Sequence, residues 1–219
     1  MGSEPENTLR SFRRAVRDGC DEIELDLRAT ADDRLVVLHD ATVDRTTNGS
    51  GAVAELTLDE LWALDAGHGE RVPTWAETVA EVDVRFQAEV KAARAVTLLV
   101  DSLQADPALA ERTLVTSSSA EILLAIRSAM PSAATGLIFG RTPAVEDVIA
   151  LTRAADAGTA LCGIDGLTVE GVAELQEGGL DVTAWPVPDA EVFARAAGLE
   201  VDGITTDHPE RLQLATRDR

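Results

Sequence analysis

Short β-type runs alternate with helical patterns almost to the end of this chain, and few architectures accommodate such an alternation. Parallel strands need a crossover long enough to hold a helix, so a repeating strand–helix unit implies a parallel sheet with helices packed on it. Candidate strands are Glu22–Leu27, Arg85–Lys91, Arg112–Thr116, Ala134–Phe139, Thr159–Gly163, Asp181–Trp185 and Gly203–Thr205. Candidate helices are Asn7–Asp18, Trp75–Val82, Ala95–Gln104, Ser119–Ala129, Pro143–Ala155, Val169–Glu177, Asp189–Ala197 and Pro209–Leu214, several opened by Ser, Thr, Asp or Pro. Seven strands against eight helices fit an α/β fold of the TIM (β/α)8 barrel type in which the first β-strand, the one before Asn7, is missing from the chain as given. Two inserts break the rhythm: a hairpin return over Arg34–Leu38 and a short helix over Leu56–Asp65 that ends in a Gly-rich loop.

With 219 residues, 45% of them apolar, and no internal repeat beyond the βα unit, the expectation is a single domain over residues 1–219. A formal charge of −20 repels nucleic-acid backbones and anionic lipid headgroups, which excludes nucleic acid as a partner. An anionic small molecule would then need local positive charge. Lys91 is the only Lys in the chain, while Arg is used freely, so a plain surface salt bridge would more naturally have gone to Arg. The alternative is that a Lys-poor, acidic composition left Lys91 as a mere survivor. Cys20 and Cys162 stand far apart with no metal-ligand spacing around them, as small buried residues of a reducing compartment do. No apolar run is long enough to cross a bilayer and no leader pattern opens the chain, so the expected location is cytoplasmic, without stable membrane insertion and with homo-oligomerisation left open.

In Ile23-Glu24-Leu25-Asp26-Leu27 the side chains alternate, so Glu24 and Asp26 share one face and the apolar residues the other. With the apolar face against helices, both carboxylates turn inward, where an unpaired charge costs several kcal/mol, roughly. An edge strand with a solvated acidic face is the competing reading. Phe86-Gln87-Ala88-Glu89-Val90-Lys91 repeats the arrangement, with Gln87, Glu89 and Lys91 on one face. Adjacent strands would bring Glu24, Asp26 and Glu89 together as oxygen ligands suited to a divalent cation, Mg2+ or Ca2+, with Lys91 offsetting their charge and contacting a bound anion. His39, beside Asp40 at the end of the hairpin return, is the candidate proton shuttle, although a lone loop His is often structural. His68, in Gly67-His68-Gly69, and His208, before Pro209, read as surface or capping residues.

Pro5-Glu6-Asn7-Thr8, Glu24-Leu25-Asp26, His39-Asp40, Asp44-Arg45-Thr46-Thr47, Glu89-Val90-Lys91 and Thr205-Thr206-Asp207-His208-Pro209 together resemble, in order, the motif series of the glycerophosphodiester phosphodiesterase family. The resemblance covers essentially the whole chain. It implies a TIM-barrel enzyme that hydrolyses glycerophosphodiesters to glycerol 3-phosphate and an alcohol. It implies Glu24, Asp26 and Glu89 as metal ligands, His39 as one of two catalytic histidines, Lys91 as a phosphate-binding residue and Trp185 as a wall of the substrate pocket. In the mechanism so implied a substrate hydroxyl attacks phosphorus, one His taking its proton and the other protonating the leaving alkoxide, and water then opens a cyclic intermediate.

One departure stands out: relatives carry His-Arg-Gly shortly before Pro-Glu-Asn-Thr, whereas this chain begins Met1-Gly2-Ser3-Glu4. The missing motif and the missing strand point to one gap, and the expectation is that Met1 is an internal residue of a longer natural chain. A degenerate barrel that binds a ligand or partner without turnover is the alternative. Either way, the 219 residues alone are expected to be feebly active. A lipid-cleaving phosphodiesterase of the same superfamily is a third reading, disfavoured by the lack of basic or apolar membrane-docking signals.

Overall fold

The computed structural model describes residues 2–210, and the chain divides into two compact units, Met1–Leu114 and Val115–Arg219. In the first unit, α1 (Leu9–Arg17) starts at Thr8, whose hydroxyl accepts the Ser11 N–H while the Ser11 hydroxyl accepts the Thr8 N–H. This reciprocal cap satisfies two donors that the helix cannot. The strand β1 (Glu22–Ala29) follows, with Ile23, Leu25 and Leu27 no more than 3% exposed. Next, β2 (Leu35–Val37) returns antiparallel along its end, pairing Leu27 with Val37 and Ala29 with Leu35.

Together with Val36 of β2, the segment after it builds a small core from Leu38, Val43, Val53, Leu58, Leu61, Ala66 and Val72. It contains a 3-10 turn at Val53–Glu55 and α2 (Leu58–Trp62), capped by Thr57 and Glu60. The loop beyond turns through Gly67, His68 and Gly69, all at positive φ, and is pinned by the Asp65 carboxylate, which accepts the Gly67 and Gly69 N–H groups at 2.7 and 3.1 Å. Thr74 and Glu77 cap α3 (Trp75–Glu81), and β3 (Arg85–Val90) runs parallel to β1 over a register from Glu22 opposite Arg85 to Leu27 opposite Val90. Trp75 meets the fully buried Phe86 edge to face at 5.1 Å. The unit closes with α4 (Arg94–Ala105) and α5 (Pro107–Glu111).

The strand β4 (Thr113–Ser117) leads into the second unit, where α6 (Ala120–Ala129), β5 (Ala134–Phe139), α7 (Val145–Ala154), β6 (Thr159–Gly163), α8 (Val169–Glu177), β7 (Asp181–Trp185), α9 (Ala190–Gly198) and β8 (Gly203–Ile204) alternate strictly. Its strands β5 to β8 pair in sequence order, each parallel to the next. Leu123, Leu137, Ala160, Cys162, Val172, Leu175 and Val182 belong to one apolar cluster that joins its helices to its strands. Burying side chains of Leu or Val size contributes about 1.5–3 kcal/mol each, so this cluster is the main source of the unit's stability.

The seven expected parallel strands are all present, and the Arg34–Leu38 return is the antiparallel β2. Among the described residues no strand precedes α1. Of the helix expected over Pro209–Leu214, only Pro209 and Glu210 are among the described residues.

Candidate active site

Pairing of β1 with β3 sets Asp26 opposite Glu89 and Glu24 opposite Gln87, so the inward faces of two strands present their carboxylates side by side. Glu24, Asp26 and Glu89 each offer an oxygen within 4.8 Å of the others. Asp26 is 4% exposed, and the Lys91 ammonium reaches its Oδ1 at 3.1 Å and Glu89 Oε1 at 2.8 Å. Burial pulls the Lys91 pKa down, but Asp26 and Glu89 outweigh it and hold the ammonium above its ordinary value. The buried Asp26 Oδ1 meets the Lys91 ammonium as an ion pair and accepts no hydrogen bond from the described residues. Three carboxylates around one ammonium leave negative charge in excess, and an all-oxygen donor set of this kind fits a hard divalent cation.

Asn7 steadies Asp26 from the loop before α1. Its side-chain amide donates to Asp26 Oδ2 at 2.8 Å, and its backbone sits at φ 53°, a left-handed conformation that Asn tolerates better than most residues. Arg28 lies on the same face of β1 as Glu24 and Asp26 and donates twice to the His39 carbonyl, at 3.0 and 2.6 Å. With the Leu38 N–H donating to the Asp26 carbonyl at 2.9 Å, this ties the end of the hairpin return to the acidic strand. The His39 imidazole, about half exposed, has Nδ1 at 2.7 Å from Asp40 Oδ1. Asp40 also receives Arg45, and Arg45 in turn grips both oxygens of Glu6 at 2.7 Å. Hydrogen bonds from Arg45 and His39 hold the Asp40 carboxyl well below the usual carboxylate range.

A family model for the glycerophosphoryl diester phosphodiesterase family matches residues 1–211. The chain belongs to that family. A glycerophosphodiester phosphodiesterase of Caldanaerobacter subterraneus subsp. tengcongensis is 33% identical over 95% of this chain and 90% of its own length. Among solved structures, the chain is similar to an Oleispira antarctica phosphodiesterase in complex with the product sn-glycerol-3-phosphate, with a TM-score of 0.89 at 23% identity over 99% of this chain and 93% of that one. It is similar also to a glycerophosphodiester phosphodiesterase from Agrobacterium tumefaciens strain C58, with a TM-score of 0.79 at 26% identity over 94% and 92% of the two chains. These likenesses establish the α/β, TIM-barrel fold of the family's enzymes.

Of the residues expected at the site, Glu24, Asp26, Glu89 and Lys91 converge in the first unit, and the His39 carbonyl is held by Arg28, two residues beyond Asp26 on β1. Trp185 ends β7 in the second unit, where its indole N–H donates to the Leu161 carbonyl at 3.2 Å. His68 occupies the Asp65-pinned loop, and His208 faces Glu210 at 3.2 Å in the second unit. Sequence reasoning overlooked Arg28, although the period of two that selected Glu24 and Asp26 extends to it. Asn7 and Glu6 were visible only as motif letters, because their contacts join segments 19 and 39 residues apart.

Proposed function

We propose that the chain hydrolyses glycerophosphodiesters to glycerol 3-phosphate and an alcohol, using a divalent cation, Mg2+ or Ca2+, held by Glu24, Asp26 and Glu89. The observation that carries this reading is the convergence of three carboxylate oxygens beside the chain's single Lys. Its family membership and the glycerol 3-phosphate bound in the Oleispira structure support the substrate class. When bound, the cation supplies Lewis-acid stabilisation of phosphoryl charge.

The chain's own residues do the rest. Lys91, already held as an ammonium by Asp26 and Glu89, offers donors to a phosphoryl oxygen. Arg28 adds positive charge on the same strand face. His39 takes the proton of the substrate hydroxyl that attacks phosphorus, and its half-exposed ring is open to that approach. The 219 residues contain no His-Arg-Gly sequence, so a second acid/base group of that kind is absent from them, and residues 1–219 alone are expected to turn over slowly. The formal charge of −20 disfavours anionic lipid surfaces and favours free glycerophosphodiesters as substrates, with a cytoplasmic setting as part of the proposal.

Release of glycerol 3-phosphate from glycerophosphocholine, glycerophosphoethanolamine and glycerophosphoglycerol, with and without chelator, tests the reading. Chelator is expected to abolish release, and Glu89→Gln to lower both release and calorimetric Mg2+ or Ca2+ affinity at least about tenfold, the usual scale for damage at a metal site. Hydrolysis indifferent to chelator and to Glu89→Gln would overturn it.

A further inference from the structure

Around His39 the contacts form a directed chain, and the direction determines which ring nitrogen can do proton chemistry. Asp40 Oδ1 stands 2.7 Å from His39 Nδ1. Asp40 itself is gripped by Arg45, whose Nε donates to Oδ2 at 2.7 Å and Nη2 to Oδ1 at 3.0 Å. Arg45 is fixed from its far side by Glu6, through Nη1 and Nη2 at 2.7 Å each. Arg28 meanwhile holds the His39 carbonyl with two donors, so the backbone from which the ring projects is restrained as well.

A carboxylate flanked by a guanidinium stays ionised and can only accept hydrogen bonds. The hydrogen between it and the imidazole must then sit on Nδ1, and a neutral ring keeps its lone pair on Nε2. We infer that Asp40, clamped by Arg45 and Glu6, is a positioning residue that holds His39 in the Nδ1–H tautomer and leaves Nε2 as the atom that exchanges a proton with substrate. Arg45 has a second consequence in this arrangement. It couples the loop before α1, which also carries Asn7 and through it Asp26, to the loop that carries His39. The inference deepens the proposed function, because it takes His39 as that reaction's acid/base group.

The test reads the ring itself. Long-range 1H–15N correlation spectra of the 15N-labelled 219-residue chain, recorded at mildly alkaline pH, separate the two tautomers, and with three His in the chain His39→Gln assigns the signals. The Nδ1–H form is expected for His39 in the wild type. Asp40→Ala is expected to move it towards the Nε2–H form, and Arg45→Gln to give a mixture, with circular dichroism unchanged. Arg45→Lys, which keeps a charge but loses the fork, is expected to fall between wild type and Arg45→Gln. A wild-type ring carrying its hydrogen on Nε2, or a tautomer unmoved by Asp40→Ala in a folded chain, would overturn the inference. If Asp40→Ala does not fold, Arg45→Gln alone decides, since it leaves Asp40 in place and removes only its clamp. The spectra need no substrate, so a failure of this inference is distinct from a failure to find hydrolysis.

Discussion

Replacing Lys91 with Met would leave Asp26 and Glu89 without the ammonium that now touches both, in a place where Asp26 is almost wholly buried. Removing one partner of a buried ion pair typically costs about 3 kcal/mol or more, because the remaining charge has nothing to offset its lost hydration. Urea denaturation of Lys91→Met in chelator should show a loss of that order, and Mg2+ or Ca2+ should restore much of it by taking the ammonium's place. Equal urea midpoints for wild type and Lys91→Met in chelator would contradict this account. Cys162 tests a different part of the chain: burial pushes its thiol up to about 11. Between the ordinary thiol value and about 11 the unfolded chain ionises while the folded one keeps its proton, so folding stability should fall as pH rises through that window. At neutral pH a thiol reagent should label Cys20 but reach Cys162 only on unfolding, as a reagent titration with and without denaturant would show.

At the scale of elements, the loop before α1 has two duties that can be separated by mutation. Asn7→Gly keeps the left-handed backbone and removes the amide that steadies Asp26, whereas Asn7→Ala removes the amide and also imposes about 1 kcal/mol of strain at φ 53°. Both variants should lose divalent-ion affinity to a similar degree by calorimetry, with only Asn7→Ala losing clearly more thermal stability. Most elements could be anticipated because their signals are local: Thr57–Glu60 and Thr74–Glu77 are capping boxes, and the strands alternate or run apolar between turns. The five-residue α5 is not legible in the sequence although Asp106 caps it and Pro107 opens it, since one turn is too short to show a helical period. β1 continues two residues past its expected end, because pairing with β2 supplies partners for Arg28 and Ala29 that the strand's own sequence does not reveal.

For the molecule as a whole, a charge of −20 means self-repulsion in every compact state. Sodium chloride should therefore raise the melting temperature gradually. Added Mg2+ or Ca2+ at constant ionic strength should raise it further and saturably, by about 2.7 kcal/mol of stabilisation at a concentration one hundred times the dissociation constant. A divalent effect no larger than that of ionic strength alone, followed by scanning calorimetry, would count against a specific site.

Alternation along the chain determined the class of fold and the face on which Glu24, Asp26, Glu89 and Lys91 lie, because strand periodicity and the crossover requirement act over a few residues at a time. Tertiary structure alone decided that Asp26 stands opposite Glu89, that Asn7 reaches Asp26, and that Glu6, Arg45 and Asp40 line up behind His39. Those relations depend on strand register and on loops brought together from distant positions, where hydrogen-bond geometry and the cost of burying unpaired charge select one arrangement among many that local sequence would allow.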